Sequence, residues 1–214
     1  MKRTLSSLIL AVTCTLYVTA QKLEFFTPSI VRVTKTAGGN DVNKQSLVVT
    51  ATPQKVAVAV KDDGNTVTYR TRELAVTVDK ATQTVSFATV GGTKLMSEGG
   101  HAFTPITEGV DKGRYRVRQA FALDKEEPIY GIGMMQNGKM NLRGEHRKMQ
   151  QSNLEDYAHF FQSIKGYGVY WDNYSPTTIN DNGTLELESQ VGEMVDYYFM
   201  YGGDADGVIR AMRH

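Results

Sequence analysis

The pattern of apolar and polar residues after residue 20 is dominated by short alternating segments. In Ile30–Lys35, Val31 and Val33 fall on one side, whereas Arg32 and Thr34 fall on the other. A period of two residues indicates a β-strand with one buried face. The same period predicts further strands at residues 56–61, 66–71, 74–78, 84–88, 114–123, 159–163, 168–171, 185–188 and 195–200.

Residues with high turn propensity separate the predicted strands. They include Asp62–Asn65, Asp79–Thr82 and a pair of glycines at 91 and 92. Short strands at close, even spacing, joined by such turns, favour an antiparallel sandwich over an α/β fold. The enrichment in valine and threonine points the same way. We therefore expect an all-β domain over residues 21–200.

One segment near the end of the chain predicts a helix. After a Gly-Gly pair, Asp204 can cap a helix that presents Val208, Ile209 and Met212 on one side. Residues 201–214 are therefore expected to form the start of a helix. Because the chain stops within this helix, we expect the sequence to be a truncated protein or a gene fragment.

The first 20 residues have the pattern of a cleaved secretory signal. Two basic residues near the start precede the apolar run Leu5–Val18, and small residues follow up to Ala20. The run is shorter than the roughly 20 residues that span a bilayer. Cys14 raises a lipoprotein alternative, but Thr13 is bulkier than the residue usually found before a lipidated cysteine. We expect cleavage near Ala20 and a secreted or periplasmic protein.

The charge balance excludes some partners. Removing two of the 24 basic residues with the signal leaves 22 against 23 acidic residues, a net charge of −1. Nucleic acids and anionic membranes both require a concentrated basic surface, so we expect neither as a partner. Cys14 is the sole cysteine, so the mature chain would hold no disulfide and would depend on its core for stability. No second apolar run is long enough to span a membrane.

Four segments, in this order along the chain, carry a resemblance to a known family. The segment Glu127–Gly133 (EPIYGIG) resembles the Glu-x-x-Tyr-Gly-Leu-Gly signature in the N-terminal domain of glycoside hydrolase family 31. Phe26–Lys35 is similar to the opening strand of that domain, and Lys165–Asn173 to its Gly-Tyr-Gly strand. Asp196–Arg213 is similar to the strand and helix that lead into the catalytic barrel.

The resemblance implies both a fold and a context. The fold is an antiparallel β-supersandwich resembling galactose mutarotase, which packs against a (β/α)8 barrel in the complete enzyme. Members include α-glucosidases and α-xylosidases, retaining enzymes whose two catalytic aspartates are carried by the barrel. The implied partners are an α-linked oligosaccharide or polysaccharide and the protein's own barrel. Because the barrel motifs would lie beyond His214, we expect this chain to be a non-catalytic portion of the enzyme.

The chain shows no convincing chemistry of its own. Retaining glycoside hydrolysis needs two carboxyl groups about 5–5.5 Å apart, and the acidic residues here have simpler interpretations as turns, caps or solvated strand faces. The histidines are scattered without a second ligand at useful spacing, so we expect no metal and no cofactor. The acidic residues with these simpler interpretations are Glu155, Asp156, Asp172, Asp181, Glu186, Glu188, Asp204 and Asp206.

One polar segment without a strand period, Asn137–Asp156, is a candidate functional loop. In the resembled family, a loop here reaches over the barrel mouth and contributes a polar residue to the sugar subsite. That resemblance implies Asn153, Glu155 and Asp156 as hydrogen-bonding partners of sugar hydroxyls. A solvated loop without such a role is an equally good interpretation. Met134 also departs from the family, which usually has glutamate after the Tyr-Gly-Leu-Gly motif.

Two other functions stay open. A freestanding carbohydrate-binding module would stack sugars on exposed aromatic residues, although core packing is the better default for most of them. Trp171 is expected in the core and Tyr170 on the opposite face. A sugar mutarotase would need a histidine and a glutamate in one cleft, such as His146 or His159 with Glu155. The aromatic candidates are Phe160, Phe161, Tyr167, Tyr170, Trp171 and Tyr174.

Overall fold

The protein is described by a computed structural model that covers residues 19–39 and 43–213. Within these residues the chain forms fifteen strands and one short helix near the end. The elements are β1 (Thr19–Thr27), β2 (Ile30–Ala37), β3 (Ala59–Asp62), β4 (Thr66–Arg70), β5 (Leu74–Asp79), β6 (Val85–Thr89), β7 (Lys94–Pro105), β8 (Tyr115–Ala122), β9 (Ile129–Met134), β10 (His146–Met149), β11 (Asp156–Ser163), β12 (Tyr167–Trp171), β13 (Thr177–Asp181), β14 (Leu185–Gly192), β15 (Met194–Tyr201) and α1 (Ala205–Met212).

The strands form two antiparallel sheets. The six-stranded sheet has the order β1-β2-β15-β12-β11-β9, and the nine-stranded sheet has the order β10-β13-β14-β8-β7-β6-β5-β4-β3. Most neighbours in the nine-stranded sheet are hairpins from consecutive strands, as expected where turn residues separate short alternating segments. The predicted all-β sandwich with a short C-terminal helix is therefore confirmed.

The core lies between the two sheets and follows the predicted alternation. Val31 and Val33 of β2 are fully buried in it, as is Trp171 of β12. Trp171 satisfies its indole N–H by donating to Ser189 Oγ at 2.8 Å, which removes the cost of burying that group. Tyr170 lies on the opposite face in a second apolar cluster, so the predicted division of this pair is confirmed.

The second cluster covers the outer face of the six-stranded sheet. Helix α1 packs there through Val208, Ala211 and Met212, which recur at helical spacing. Asp204 caps the helix, since its side chain accepts a hydrogen bond from the backbone N–H of Gly207 at 2.6 Å. Ile209 was predicted to share this face but is 44% exposed, because a neighbouring residue in a helix points about 100° away.

Several elements differ from the sequence prediction. β3 is shorter than the predicted strand at 56–61, because it is the edge of its sheet and pairs with β4 over four residues. The segment Asn137–Asp156 was predicted without strand structure, but it contains β10 and the first residue of β11. The alternation missed β1, β7, β9 and β13.

The N-terminal prediction falls largely outside the described residues. The expected signal sequence covers residues 1–20, of which 1–18, including Cys14, are not described. Residues 19 and 20 already belong to β1, where they pair with Ala37 and Thr36 of β2. Among the described residues, α1 is the one helix, and it is far too short to cross a bilayer.

Candidate functional site

The connection between β9 and β11 (residues 135–155, the crossing loop) passes from one sheet to the other and back. β9 and β11 pair in the six-stranded sheet, whereas β10 inside the loop pairs with β13 at the edge of the nine-stranded sheet. Leu142 and Met149 bury their side chains in the main core. The crossing loop is therefore anchored on both sheets, although much of its surface is polar.

Charged groups fix the first part of the crossing loop. Arg143 Nε lies 2.6 Å from Asp181 Oδ2, and the backbone N–H of Gly144 donates to the same oxygen at 2.8 Å. Lys139 Nζ lies 2.6 Å from Glu145 Oε1, and the Glu145 carboxyl is nearly buried. Asp181, considered as a turn residue from sequence, thus anchors this loop to β13.

The second part ends in a compact tip, residues 150–156. The backbone N–H of Ser152 donates to the carbonyl oxygen of Glu155 at 3.2 Å. Gln151 acts like a strand partner for Tyr157: its Oε1 accepts from the Tyr157 N–H at 2.7 Å, and its Nε2 donates to the Tyr157 carbonyl at 3.0 Å. Leu154 at the tip is 71% exposed. The tip is therefore a turn fixed by these hydrogen bonds.

The three predicted contact residues all lie in this tip. Asn153 and Asp156 are exposed, and their side chains make no hydrogen bond or ion pair with the described residues. Glu155 is half-buried, with Arg147 Nη1 donating to one oxygen at 2.7 Å and the Tyr157 hydroxyl to the other at 2.5 Å. Burial, and then the Glu155 carboxylate, raise the pKa of Tyr157, so its hydroxyl stays protonated as the donor.

Sequence reasoning missed the residues that hold the tip. Gln151, Arg147 and Tyr157 have no common spacing, since their partners are brought together by the crossing of the chain between sheets. The one signal was Tyr157 itself, which lies two residues after Glu155 and is nearly buried. An aromatic residue at the end of a polar loop can mark the return of the chain to the core.

The Tyr-Gly-Ile-Gly segment of β9 packs directly against the backbone of β11 at Asp156, the last residue of the tip. A Cβ atom at Gly133 would lie 2.0 Å from the carbonyl oxygen of Asp156, and one at Gly131 would lie 2.6 Å from that of Phe160. The φ angle is positive at all three residues: 120° at Gly131, 53° at Ile132 and 105° at Gly133. The glycines therefore permit the backbone of β9 to approach β11 directly beneath Asp156.

The other acidic candidates are engaged in structural contacts. Glu186 pairs with Arg118 on the solvated face of β14, opposite the buried Leu185 and Leu187, as predicted. The Asp172 carboxylate lies 3.3 Å from Lys44 Nζ, and its two oxygens accept no hydrogen bond from the described residues. No group of three histidine, cysteine or acidic residues among the described positions is placed to hold a metal ion.

The described histidines occupy separate environments. His101 stacks edge-to-face on Phe103 at 5.7 Å, and burial, aided by the positive Lys35, lowers its pKa to about 4. His146 Nδ1 lies 3.2 Å from Asn180 Oδ1 at an exposed site on β10. His159 Nδ1 lies 2.7 Å from the carbonyl oxygen of Asn173. Because Glu155 is held by Arg147 and Tyr157, the geometry does not favour its pairing with a histidine as a mutarotase requires.

The aromatic candidates do not form an exposed platform. Of the six considered from sequence, Tyr174 is 48% exposed, and the others are buried or half-buried. The ring of Tyr174 is covered by Lys44 Nζ at 4.9 Å from its centroid, and its hydroxyl accepts from the Leu47 N–H at 2.6 Å. These contacts leave the ring of Tyr174 little open surface for stacking a sugar as a freestanding module would.

Two proteins of known sequence are similar to this chain. An α-xylosidase from Saccharolobus solfataricus is 27% identical over 209 residues, which cover 90% of this chain. A family 31 glucosidase of Pseudescherichia vulneris, otherwise uncharacterised, is 26% identical over 113 residues and 52% of the chain. The matched part of the chain spans 27% and 20% of the length of these relatives, respectively.

Solved structures show the same fold. A GH31 α-xylosidase from Xanthomonas citri superposes with a TM-score of 0.71 at 29% identity, over 77% of this chain and 19% of that one. A GH31 dextranase from Flavobacterium johnsoniae, complexed with glucose, superposes with a TM-score of 0.75 at 23% identity, over 93% and 27%. The family model described as the glycosyl hydrolase 31 N-terminal galactose mutarotase-like domain matches residues 20–180. The chain therefore belongs to this family of glycoside hydrolase 31 N-terminal domains, as its sequence motifs predicted.

Proposed function

We propose that this domain is the non-catalytic N-terminal portion of a secreted family 31 glycoside hydrolase that acts on α-glycosides. In that enzyme it supports the catalytic barrel and contributes the tip of the crossing loop to substrate recognition. The observation that carries the proposal is the tip itself, which presents two unengaged polar side chains on a backbone held from both sides.

Hydrogen-bonding chemistry supports the assignment of the tip. Asn153 offers a donor and an acceptor, and Asp156 offers carboxylate oxygens, which together match the hydroxyl groups of a sugar. Glu155, the third predicted contact, has both oxygens occupied by Arg147 and Tyr157. We assign it the role of positioning the tip, with Asn153 and Asp156 as the sugar contacts.

Exposed apolar side chains support a role in holding a second domain. Ile209 of α1 is 44% exposed, and Val48, which lines a cleft together with Met212 of the same helix, is 51% exposed. Exposed apolar side chains on and beside one helix favour an interaction surface. A catalytic barrel that follows α1 would cover the outward side of this helix.

The first test is the activity of the chain alone. We expect no turnover of 4-nitrophenyl α-xyloside or 4-nitrophenyl α-glucoside by the purified 214-residue chain. Turnover that co-purifies with the chain and is lost on a substitution within it would show that the domain is itself catalytic, and would contradict the proposal.

The second test is a chimera in which this domain replaces the matching part of the Saccharolobus solfataricus α-xylosidase. We expect an active chimera, and a fall in kcat/KM of about tenfold for N153A or D156N, because each loses a hydrogen bond to substrate. N65A, in the exposed turn between β3 and β4 at the far edge of the nine-stranded sheet, is the matched control. Full activity of both tip variants, or an inactive chimera that is nevertheless folded, would contradict the proposal.

A further inference from the structure

A cleft lies on the outer face of the six-stranded sheet beside the tip of the crossing loop, and we refer to it as the outer cleft. Phe160 and Tyr170 are its principal aromatic lining, and Gln151, His159 and Tyr174 are among its polar lining. Its volume is about 650 Å³, which falls in the range of about 300–1,000 Å³ that small-molecule sites occupy. The outer cleft is thus large enough for a sugar unit.

A bulge in β11 places His159 in the outer cleft. Gly131 pairs with Phe161 and Gly133 pairs with Tyr157, so two residue steps on β9 match four on β11. Tyr157 and Phe161 both point into the main core. Strict alternation would send His159, midway between them, into the core as well. Because the strand bulges there, His159 lines the outer cleft instead, as bulges commonly redirect a side chain.

The hydrogen bond of His159 determines which ring nitrogen carries the proton. Nδ1 lies 2.7 Å from the carbonyl oxygen of Asn173, which can only accept, so Nδ1 carries the proton. Burial lowers the pKa of His159 from its usual 6.5, and the ring is therefore neutral at pH 7. In the neutral ring Nε2 holds a lone pair and accepts a hydrogen bond.

The lining of the outer cleft is polar but uncharged. None of the described residues that form it is lysine, arginine, aspartate or glutamate. Two glutamines, an asparagine, a serine, tyrosines and the neutral histidine supply hydrogen-bonding groups next to aromatic and aliphatic surface. An ionic ligand would find no countercharge there, whereas the apolar faces and hydroxyl groups of a neutral sugar match both kinds of lining.

We propose that the outer cleft binds a neutral sugar unit, with His159 Nε2 accepting a hydrogen bond from a sugar hydroxyl. This inference rests on the proposed function, since it takes carbohydrate as the ligand class of the protein. It adds a second recognition position, on β11 and β12, to the contacts of Asn153 and Asp156 at the tip. A sugar chain that leaves the tip would then continue along the face of the sheet.

Titration of the full chain with xylose, glucose and isomaltotriose tests this inference. Calorimetry gives the Kd, and the ¹⁵N resonances of the histidine rings report contact with His159 Nε2. H159N keeps an N–H donor near the position of Nδ1 but lacks the Nε2 acceptor, so we expect binding about three- to tenfold weaker. H146N changes the exposed histidine of β10 outside the outer cleft and should leave the Kd unchanged. Y170F, which removes one hydroxyl from the lining, serves as a second variant should H159N not fold.

The possible outcomes separate this inference from the proposed function. A shift of the His159 Nε2 resonance on adding sugar, lost in H159N, supports it. Sugar binding that is weakened by N153A but unaffected by H159N and Y170F would overturn it and leave the proposed function intact. Absence of binding by all three sugars would also overturn it, while the chimera kinetics would still decide the proposed function. A His159 shift caused by the attached barrel without sugar would show that polypeptide fills the cleft, and would overturn it too.

Discussion

At the scale of single residues, Glu127 explains why a glutamate precedes the Tyr-Gly-Ile-Gly segment. Its buried carboxylate accepts hydrogen bonds from the hydroxyls of Ser163 and Tyr167, both at 2.5 Å. It also lies 2.9 Å from Lys165 Nζ and accepts from the backbone N–H of Asp124 at 3.1 Å. Glu127, which lies just before β9, therefore contacts β11, β12 and the turn between these two strands. The sequence marked this residue by resemblance, but its role follows from the four donors around it.

Replacing Glu127 by glutamine should destabilise the domain. The amide nitrogen of glutamine cannot accept from these donors, and Lys165 keeps only one of its two carboxylate partners, Asp124. We expect the free energy of unfolding to fall by about 2–4 kcal/mol, since several charge-assisted bonds in a buried site are broken together. Urea denaturation followed by tryptophan fluorescence measures the loss. E126Q, at the exposed neighbouring position, is the control, and an equal loss in both variants would contradict this role.

The same residue gives a pH dependence of stability. Burial alone would raise the pKa of Glu127, but the bonds from Ser163, Tyr167 and Lys165 outweigh it and lower the pKa below 4.5. A carboxyl group whose folded pKa is lowered stabilises the fold above its unfolded pKa, and this contribution is lost as pH falls through the folded value. The difference between wild type and E127Q should therefore be full at pH 6 and shrink below about pH 4.5. Parallel curves for the two proteins from pH 6 to pH 3 would contradict this.

At the scale of elements, alternation predicted most strands that keep a strict period, although it missed β13, and it failed where glycine or a bulge interrupts the period. Strand β15 was predicted because its inward residues Val195, Tyr197 and Phe199 are apolar or aromatic, and β2 was predicted through Val31 and Val33, although Lys35 is buried on the same face. In β9, glycines at 131 and 133 leave no pattern, and in β11 the bulge puts His159 out of phase. β7 likewise changes register between Glu98 and Gly100. These irregularities are set by backbone approach between strands, which a single sequence does not express as a period.

Gly133 gives a prediction about the packing of β9 against β11. In G133A, the new Cβ would lie 2.0 Å from the carbonyl oxygen of Asp156, at a φ of 105°. We expect a loss of about 3 kcal/mol or more, or failure to fold, because backbone must move on both strands. G64A has a similar φ of 92° but nothing within 4 Å of its Cβ, so it should lose about 1 kcal/mol. Thermal unfolding compares the two, and similar melting temperatures would contradict the steric explanation.

The candidate site was predictable in position but not in geometry. The long polar segment and the resemblance located the tip, and the structure places Asn153, Glu155 and Asp156 together there. Neither source revealed that Glu155 is held by Arg147 and Tyr157, because those contacts depend on the excursion of β10 to the other sheet. Local sequence specifies strands and turns, whereas the partners of a loop side chain depend on where the chain returns.

At the scale of the whole molecule, one ion pair joins the two sheets through the core. Lys35 of β2 and Glu98 of β7 lie 2.6 Å apart with both side chains fully buried. Glu98 also accepts from the Tyr197 hydroxyl at 2.8 Å and from the Val85 N–H at 2.7 Å. Burial lowers the pKa of Lys35, although Glu98 opposes that shift. Because these residues come from different sheets, the pair fixes how the sheets sit against each other.

Breaking the pair should cost more than removing both of its charges. K35M leaves Glu98 as an unbalanced buried charge, and we expect a loss of about 3–5 kcal/mol in the free energy of unfolding. In K35M/E98Q the side chain at position 98 is uncharged, and its amide oxygen can still accept a hydrogen bond from Tyr197 or Val85. The double variant should therefore recover part of that loss. Chemical denaturation of both single variants and the double variant gives the coupling energy. Strictly additive losses would contradict a cooperative pair, and K80M, at an exposed pair with Asp62, should change stability little.

The crossing loop has a consequence for how such a domain can diversify. Its two halves are held separately, one by Arg143 on Asp181 and the other by Gln151 on Tyr157. Residues 152–155 therefore form a turn whose length is independent of either sheet. Insertions or deletions there would lengthen or shorten the reach of the tip without altering strand register. Under the proposed function, indels at this one position would change which glycans the tip can contact, while the rest of the sandwich stays unchanged.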